Sequence, residues 1–210
     1  AHDVEFTFGE YAERVKALAG GLHSLGVRRG DTVALMLVNR PEFALADSAA
    51  MHLGAIAFSV YNTLAPEQIN YLLQSSRCRV VVTERMFLPQ VLAARTSEVE
   101  HIVLVDGEAD GTITLADLGR RQSRGFRFED AWRECQSDDV LTLIYTSGTT
   151  GPPKAVQLTH AGVMFMVRGY ASALPVIVGG RGISYLPLAH VGDRAMGYYA
   201  GSMCFGTTVT

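Results

Sequence analysis

The segment from Tyr145 to Lys154 carries the side chains best suited to hold a polyphosphate. It reads Tyr-Thr-Ser-Gly-Thr-Thr-Gly-Pro-Pro-Lys and follows the apolar stretch Leu141 to Tyr145, which predicts a buried strand. Glycines let backbone N–H groups converge on an anion, while hydroxyls and a lysine add hydrogen-bond donors and positive charge. We therefore expect this loop to bind a polyphosphate together with Mg²⁺.

Lysine is rare in this sequence, which draws attention to Lys154. Of the 18 Lys and Arg residues, only Lys16 and Lys154 are lysines. The loop differs from G-x-x-x-x-G-K-[ST], the pattern of P-loop NTPases. The other interpretation is a plain polar hairpin, because Ala155 to Leu158 is itself typical of a strand. The order and spacing of the hydroxyls, glycines and lysine favour phosphate binding.

A second segment, Tyr185 to Arg194, places a histidine beside charged residues. It reads Tyr-Leu-Pro-Leu-Ala-His-Val-Gly-Asp-Arg, which predicts a strand that ends at Pro187 and a helix that starts at His190. A histidine considered alone is more often a packed core residue than a ligand. In this arrangement His190 is expected at the edge of a cleft instead. The apolar residues Met164, Phe165, Met166 and Tyr170 are expected to pack a helix rather than line an acyl tunnel.

Strands and helices alternate along the first half of the chain, which predicts an α/β fold with βαβ units and a mostly parallel sheet. The first helix has a capping-box spacing at Thr7 and Glu10 and a glycine, Gly26, where it ends. Its apolar stripe consists of Tyr11, Val15, Leu18, Leu22 and Leu25. The predicted strands lie at Val4 to Phe8, Thr32 to Val38, Ala55 to Val60, Arg79 to Thr83 and His101 to Val105. Later helices are predicted to begin at Pro41, Pro66 and Met86.

The composition divides the chain into three parts. We expect a first α/β unit over residues 1–105 and a polar connector with one or two short helices over residues 106–139. A second α/β unit is expected over residues 140–210, and it contains the loop described above.

Charge and cysteine usage exclude several classes of protein. The 18 basic residues are balanced by 21 acidic ones, so the sequence predicts no nucleic-acid binding. Cys78, Cys135 and Cys204 lie far apart, which predicts buried free thiols rather than a zinc site or a disulfide framework. No terminal stretch has the form of a signal peptide, and the apolar stretch Phe43 to Tyr61 is too polar for a membrane span. We expect a cytoplasmic protein, with peripheral membrane contact left open.

The two polar segments, Tyr145 to Lys154 and Tyr185 to Arg194, resemble segments of a known family. Tyr145 to Lys154 resembles the phosphate-loop signature of the AMP-forming acyl-CoA synthetases, in the adenylate-forming superfamily, except that Ala155 replaces the usual glycine. Leu186 to Arg194 resembles a segment of the long-chain fatty acyl-CoA synthetases, with Asp193 where glutamate is usual. Asn39 to Glu42 and the stretch before it resemble the family's opening βαβ segment. If position 155 needs a positive φ, Ala155 strains the loop.

The resemblance implies a ligase that uses ATP, Mg²⁺ and CoA to convert a long-chain fatty acid to acyl-adenylate and then to acyl-CoA. It implies that His190 lies near the carboxylate being activated, that Lys154 neutralises the departing pyrophosphate, and that Thr146 also lies near Mg²⁺. The residues it assigns to the ATP phosphates are Thr146, Ser147, Gly148, Thr149, Thr150, Gly151 and Lys154.

The resemblance also implies that the chain is the N-terminal part of a longer fold. The family's Mg²⁺-binding glutamate, ribose-binding aspartate and catalytic C-terminal lysine would lie beyond Thr210. The expected partners are a fatty acid and either a separate C-terminal portion or a second copy of the chain. Two alternatives stay open: a non-catalytic nucleotide-binding or partner-binding remnant, and an adenylate-forming enzyme for another carboxylate.

Overall fold

The structure is a computed structural model that describes residues 6–121, 123–146, 152–173, 178–183, 185–206 and 208–209. The chain divides into two compact units, Ala1–Cys135 and Gln136–Thr210. In the described residues, no helix is both long enough and apolar enough to cross a membrane.

The first unit begins with a capped helix, α1 (Phe8–Ser24). The Thr7 hydroxyl accepts a hydrogen bond from the Glu10 backbone N–H at 3.2 Å, and the Glu10 carboxylate accepts one from the Thr7 N–H at 2.8 Å. This reciprocal pair satisfies two backbone donors and confirms the capping box. Because Phe8 already belongs to the helix, the strand expected to end at Phe8 is wrong there, and residues 1–5 lie outside the described ranges.

Five parallel strands form the sheet of the first unit, in the order β5-β4-β3-β1-β2. Their bounds are β1 Thr32–Met36, β2 Ile56–Ser59, β3 Val80–Thr83, β4 His101–Leu104 and β5 Ile113–Thr114. The register pairs Val33 with Val80 and Ala34 with Phe58. Strands β1 and β3 are buried along their whole length, as apolar strands in a parallel sheet must be. The expected α/β class and parallel sheet are confirmed.

The helices of the first unit differ in burial: most residues of the second helix are buried, whereas the sixth has no buried residue. After α1 they are α2 Pro41–His52, α3 Pro66–Ser75, α4 Leu88–Ala94, α5 Leu115–Arg120 and α6 Phe128–Arg133, with a 3₁₀ turn at Arg85–Phe87 before α4. Proline occupies the first turn of α2, α3 and α4, where its missing N–H costs nothing. Gly26 has φ +86° just after α1, which confirms its predicted role at the helix end.

A buried glutamate joins the carboxyl ends of neighbouring strands. Glu84, which follows β3, accepts hydrogen bonds from the Val38 N–H at 2.7 Å and from the Arg40 guanidinium at 2.9 Å. Arg40 also pairs with Glu42 at 2.7 Å and lies 3.8 Å from Asp106, which follows β4. The predicted opening segment Asn39 to Glu42 is therefore fixed to the sheet by ion pairs.

Residues 106–135 pack with the first unit. Helix α5 lies against α1, and an alanine Cβ at Gly21 would lie 2.8 Å from the carbonyl carbon of Leu118. Lys16 pairs with Glu129 at 3.2 Å, and His23 bonds Ser123 at 2.6 Å. The boundary between the units therefore falls at Cys135, whereas the composition places the connector over residues 106–139.

The second unit contains an antiparallel pair, β6 (Val140–Thr146) and β7 (Lys154–Thr159), followed by helix α7 (His160–Ala173). Further along are the short parallel strands β8 (Arg181–Gly182) and β9 (Thr208–Val209), with a π-helix over Asp193–Cys204 between them. The strand expected to end at Pro187 is wrong, because residues 185–187 form no strand.

The cysteines differ in exposure. Cys78 is fully buried, and burial raises the pKa of its thiol to about 12. Cys135 is half-buried, and Cys204 is exposed on the π-helix. The expectation of buried thiols is therefore confirmed for Cys78 and wrong for Cys204.

Alkylation at pH 8 should separate these thiols, because the thiolate is the reactive form and needs access to the reagent. We expect iodoacetamide to label Cys204 first, while Cys78 reacts only after urea unfolds the chain. Peptide mass spectrometry at successive times would measure the order. Equal labelling rates for Cys78 and Cys204 in the native chain would contradict the structure.

Replacing Gly21 by alanine tests the contact between α1 and α5. Alanine normally stabilises a helix relative to glycine by about 0.5–1 kcal/mol. At position 21 the new methyl overlaps the Leu118 carbonyl, so we expect the free energy of unfolding to fall by about 1–3 kcal/mol in urea titrations.

Gly9→Ala on the same helix is the matched control, because its Cβ would meet only the Thr7 hydroxyl at 3.9 Å. This variant should be as stable as the original chain or slightly more stable. Similar stabilisation by both substitutions would show that α5 does not press on α1.

Candidate functional site

The pairing of β6 with β7 brings Thr146 and Lys154 together. The two residues are direct partners across the antiparallel pair, as are Tyr145 and Ala155. Directly opposed side chains in such a pair lie on the same face, with Cβ atoms about 4.5–5.5 Å apart. The structure therefore confirms that the polar segment connects two strands, as the hairpin interpretation predicts, and it places Thr146 and Lys154 side by side where the strands end.

The predicted phosphate-binding residues are only partly described. Ser147, Gly148, Thr149, Thr150 and Gly151 lie outside the described residues. Thr146 and Lys154, which border them, are both exposed to solvent. An exposed lysine on a strand end keeps its ammonium available to an anion.

Strand β6, the first strand of the hairpin, is buried on both faces. Leu141, Leu143 and Ile144 are each at most 7% exposed, and Thr142 is fully buried. Strand β7 contributes a more exposed surface, with Val156 44% exposed. The buried strand β6 therefore anchors the hairpin.

Ala155 does not create the strain that its replacement of glycine suggested. It lies in β7 opposite Tyr145, in extended backbone. In the described part of the chain, Arg77 is the one non-glycine residue with a positive φ. A methyl group is compatible with an extended strand, so alanine in place of the family's glycine has no conformational cost at position 155.

Helix α7 follows the hairpin directly. The Thr159 hydroxyl accepts a hydrogen bond from the Gly162 N–H at 3.1 Å and so caps the helix. Val163 and Val167 are its buried residues. Met164 and Phe165 are 42% and 81% exposed, so the expectation that they serve to pack a helix is wrong for these two residues.

His190 is held by backbone hydrogen bonds at the start of the helical segment. Its N–H donates to the Pro187 carbonyl at 2.7 Å, and its own carbonyl accepts from the Arg194 N–H at 3.2 Å. The ring atom Nδ1 accepts from the Gly192 N–H at 3.0 Å. The neutral ring must then carry its proton on Nε2, and because the side chain is exposed, that N–H is available to an acceptor.

The sequence does not predict that two charged residues of this region, Asp193 and Arg194, are buried. Arg194 is 1% exposed, and its Nε donates to the Tyr199 hydroxyl at 3.0 Å. Asp193 is buried beside Gly197, and a Cβ at that glycine would lie 2.8 Å from the Asp193 Oδ1. An arginine and an aspartate in a polar motif are normally interpreted as surface residues. Only the five-residue spacing of Arg194 and Tyr199 and the four-residue spacing of Asp193 and Gly197 could have suggested these contacts.

An open groove of about 350 Å³ lies in the first unit, beside the end of β4. Its lining includes Leu104, Glu108 and Asp117. None of the site residues expected from the sequence borders it. The described side chains also include no group of three His, Cys, Asp or Glu residues arranged to hold a metal ion.

The parallel sheet and the β6–β7 pair are those of the N-terminal part of an adenylate-forming ligase fold. The sequence matches the family described as AMP-binding enzyme over residues 1–210, and the chain belongs to that family.

A curated relative is similar along most of the chain. Long chain acyl-CoA synthetase 7, a peroxisomal protein of Arabidopsis thaliana, is 32% identical over 208 residues. The match covers 93% of this chain and 30% of the relative. The chain thus spans about a third of the length of that relative.

Solved structures share the fold. The anthranilate CoA ligase AuaEII, in complex with anthranoyl-AMP, superposes with a TM-score of 0.87 at 25% identity. The match covers 99% of this chain and 40% of the anthranilate ligase. The O-succinylbenzoate CoA synthetase of Bacillus subtilis, in complex with ATP and a magnesium ion, gives a TM-score of 0.79 at 28% identity. That match covers 99% of this chain and 40% of the synthetase. The fold is therefore the N-terminal part of an adenylate-forming ligase, as expected.

Restoring glycine at position 155 tests the local geometry of the loop. Because Ala155 is extended, we expect Ala155→Gly to leave affinity for inorganic pyrophosphate within about twofold, measured by calorimetry. Glycine weakens a strand interior, so the free energy of unfolding should fall by up to about 1 kcal/mol. A large gain in pyrophosphate affinity would show that Ala155 obstructs the loop.

Proposed function

We propose that this chain carries the phosphate-binding part of an AMP-forming long-chain fatty-acid–CoA ligase. The observation that supports it most is the pairing of Thr146 with Lys154 across the hairpin. This pairing sets a hydroxyl and an ammonium at the two ends of a loop rich in Ser, Thr and Gly. Such a loop can surround a polyphosphate with donors and positive charge.

The proposed roles follow the chemistry of these groups. Thr146, Ser147, Gly148, Thr149, Thr150 and Gly151 bind the phosphates of ATP. Lys154 stabilises the negative charge that develops on pyrophosphate as it leaves. The Thr146 hydroxyl is an oxygen ligand of the kind that Mg²⁺ accepts, and it fits a site in which the ion is held mainly by phosphates and water. Bound Mg²⁺ would neutralise charge on the phosphates.

The reaction proposed for the whole enzyme has two steps. A carboxylate oxygen of the fatty acid attacks the α-phosphorus of ATP, and the bond to pyrophosphate breaks to leave an acyl-adenylate. The thiol sulfur of CoA then attacks the acyl carbon, losing its proton, and AMP departs with the electrons of the broken bond.

His190 is proposed to hold the fatty acid carboxylate. Its Nδ1 accepts a backbone hydrogen bond, so its Nε2–H can donate to a carboxylate oxygen. This fixes the tautomer without another side chain. The donated hydrogen bond would hold the attacking oxygen in place for the first step.

The choice of a long-chain substrate rests on similarity. The Arabidopsis relative is a long chain acyl-CoA synthetase, and Leu186 to Arg194 resembles the segment found in such enzymes. Another carboxylate is the alternative, because the structural neighbours include ligases for anthranilate and O-succinylbenzoate. Activation assays with palmitate, oleate, benzoate and anthranilate distinguish the two.

A non-catalytic, nucleotide-binding role is the second candidate, because the chain covers only 30% of the Arabidopsis relative.

We propose that an active enzyme requires a further C-terminal portion, in preference to a second copy of this chain. The exposed Phe165 and Met164 on α7 support this, because a completed fold would cover them. The location in the cytoplasm and any membrane contact stay predictions.

The two lysines of the sequence provide a matched test. We expect Lys154→Ala to weaken MgATP binding to the purified chain about tenfold in calorimetry, which corresponds to about 1.4 kcal/mol and the loss of one charge-assisted contact. Lys16→Ala should leave the affinity unchanged, because Lys16 is engaged with Glu129 in the first unit.

Exchange of labelled pyrophosphate into ATP, with the same carboxylates, then separates the two candidates. The ligase proposal predicts fatty-acid-dependent exchange once a C-terminal portion is supplied, and little from the chain alone. Nucleotide binding without exchange under both conditions would favour the non-catalytic role. Equal MgATP affinity in Lys154→Ala and the original chain would refute the assignment of the loop.

A further inference from the structure

Arg194 is a charged side chain buried in the second unit. Its exposed fraction is 1%, in a segment that the proposed chemistry uses only through His190. A guanidinium has five N–H donors, and burying it is unfavourable unless they find partners. Its Nε donates to the Tyr199 hydroxyl at 3.0 Å, and the guanidinium carbon lies 5.8 Å from the centre of the Tyr199 ring.

The spacing of this pair matches the helix that contains it. Arg194 and Tyr199 are five residues apart within the π-helix Asp193–Cys204. In an α-helix a five-residue step rotates a side chain by about 140° relative to the first, so the two would face different sides. In a π-helix the backbone bonds join residues five apart, which brings such side chains together.

Neighbouring contacts follow the same five-residue repeat. The Ser202 hydroxyl lies 3.5 Å from the Gly197 carbonyl, five residues earlier. The Phe205 N–H bonds the Ala200 carbonyl, again five residues earlier, and also the Gly201 carbonyl. The Asp193 carboxylate lies beside Gly197, four residues later, where its Oδ1 is 2.8 Å from the position of a Cβ. The contacts of Ser202 and Phe205 with residues five positions earlier agree with the π register.

The helix start connects this pair to His190. The Arg194 N–H donates to the His190 carbonyl at 3.2 Å, so the residue that carries the buried guanidinium also fixes the histidine backbone. The Gly192 N–H, in the same turn, fixes the ring through Nδ1. A change of register at Arg194 would move both hydrogen bonds.

We propose that Arg194 and Tyr199 form a positioning pair that holds the π register and thereby sets the orientation of the His190 imidazole. The importance of that orientation for a fatty acid carboxylate rests on the proposed function. The pair itself is a property of the chain and can be tested without any substrate.

Nuclear magnetic resonance of the labelled full chain tests the pair directly. In the unsubstituted protein, the Arg194 Nε–H should exchange slowly with water and show a nuclear Overhauser effect to the Tyr199 ring. Tyr199→Phe removes only the hydroxyl, and we expect it to abolish that protection. It should also shift the His190 ring resonances and speed amide exchange over residues 198–205 at least tenfold.

Arg194→Lys should have the same effect, because an ammonium cannot reproduce the planar donor set. The controls are Arg181→Lys and Tyr71→Phe, both exposed, which should leave the His190 resonances unchanged. If a variant unfolds the second unit, the Overhauser effect in the unsubstituted chain still shows whether Arg194 and Tyr199 are in contact. Its absence, or unchanged His190 resonances in a folded Tyr199→Phe, would overturn the proposal.

MgATP and oleate binding separate this proposal from the proposed function. In a chain that binds both, Tyr199→Phe should weaken oleate about tenfold and leave MgATP within twofold. Similar losses for both ligands would indicate general loosening and would overturn the positioning role. Failure of the unsubstituted chain to bind MgATP would refute the proposed function, while the His190 resonances would still test the pair.

Discussion

The antiparallel pairing of β6 with β7 is the constraint on which the candidate site depends. A one-residue slip would move every side chain of a strand to the other face. The consecutive residues 141–144 are all buried, so both faces of β6 are packed, and a slip would bring the less buried Val140 or Tyr145 into their place. The observed register sets Thr146 opposite Lys154.

The first unit owes its arrangement to close approaches that no local pattern reveals. Gly21 lets α1 touch the backbone of α5, and Glu84 joins β1 to β3 through Val38 and Arg40. These contacts link residues far apart in the sequence. They make residues 106–135 part of the first unit even though their composition is that of a connector.

Local chemistry predicted much of the fold. The Thr7–Glu10 capping box and the Pro66–Ser75 helix depend on neighbouring residues, and both are present as expected. The exposure of Phe165 could not be predicted, because an apolar pattern indicates a helix face but not what covers it. The burial of Arg194 was missed for a related reason: its partner, Tyr199, is recognisable only when the helix has a π register. The roles of Ser147 to Gly151 depend on family resemblance and on the residues that flank them.

Backbone amide chemical shifts, mapped as MgATP is added to the labelled chain, would show whether the loop binds phosphate. We expect the largest shifts between Thr146 and Lys154 and smaller ones near His190, and inorganic pyrophosphate should reproduce the shifts in the loop. Shifts concentrated instead around Leu104 and Asp117 in the groove of the first unit, with none in the loop, would contradict this expectation.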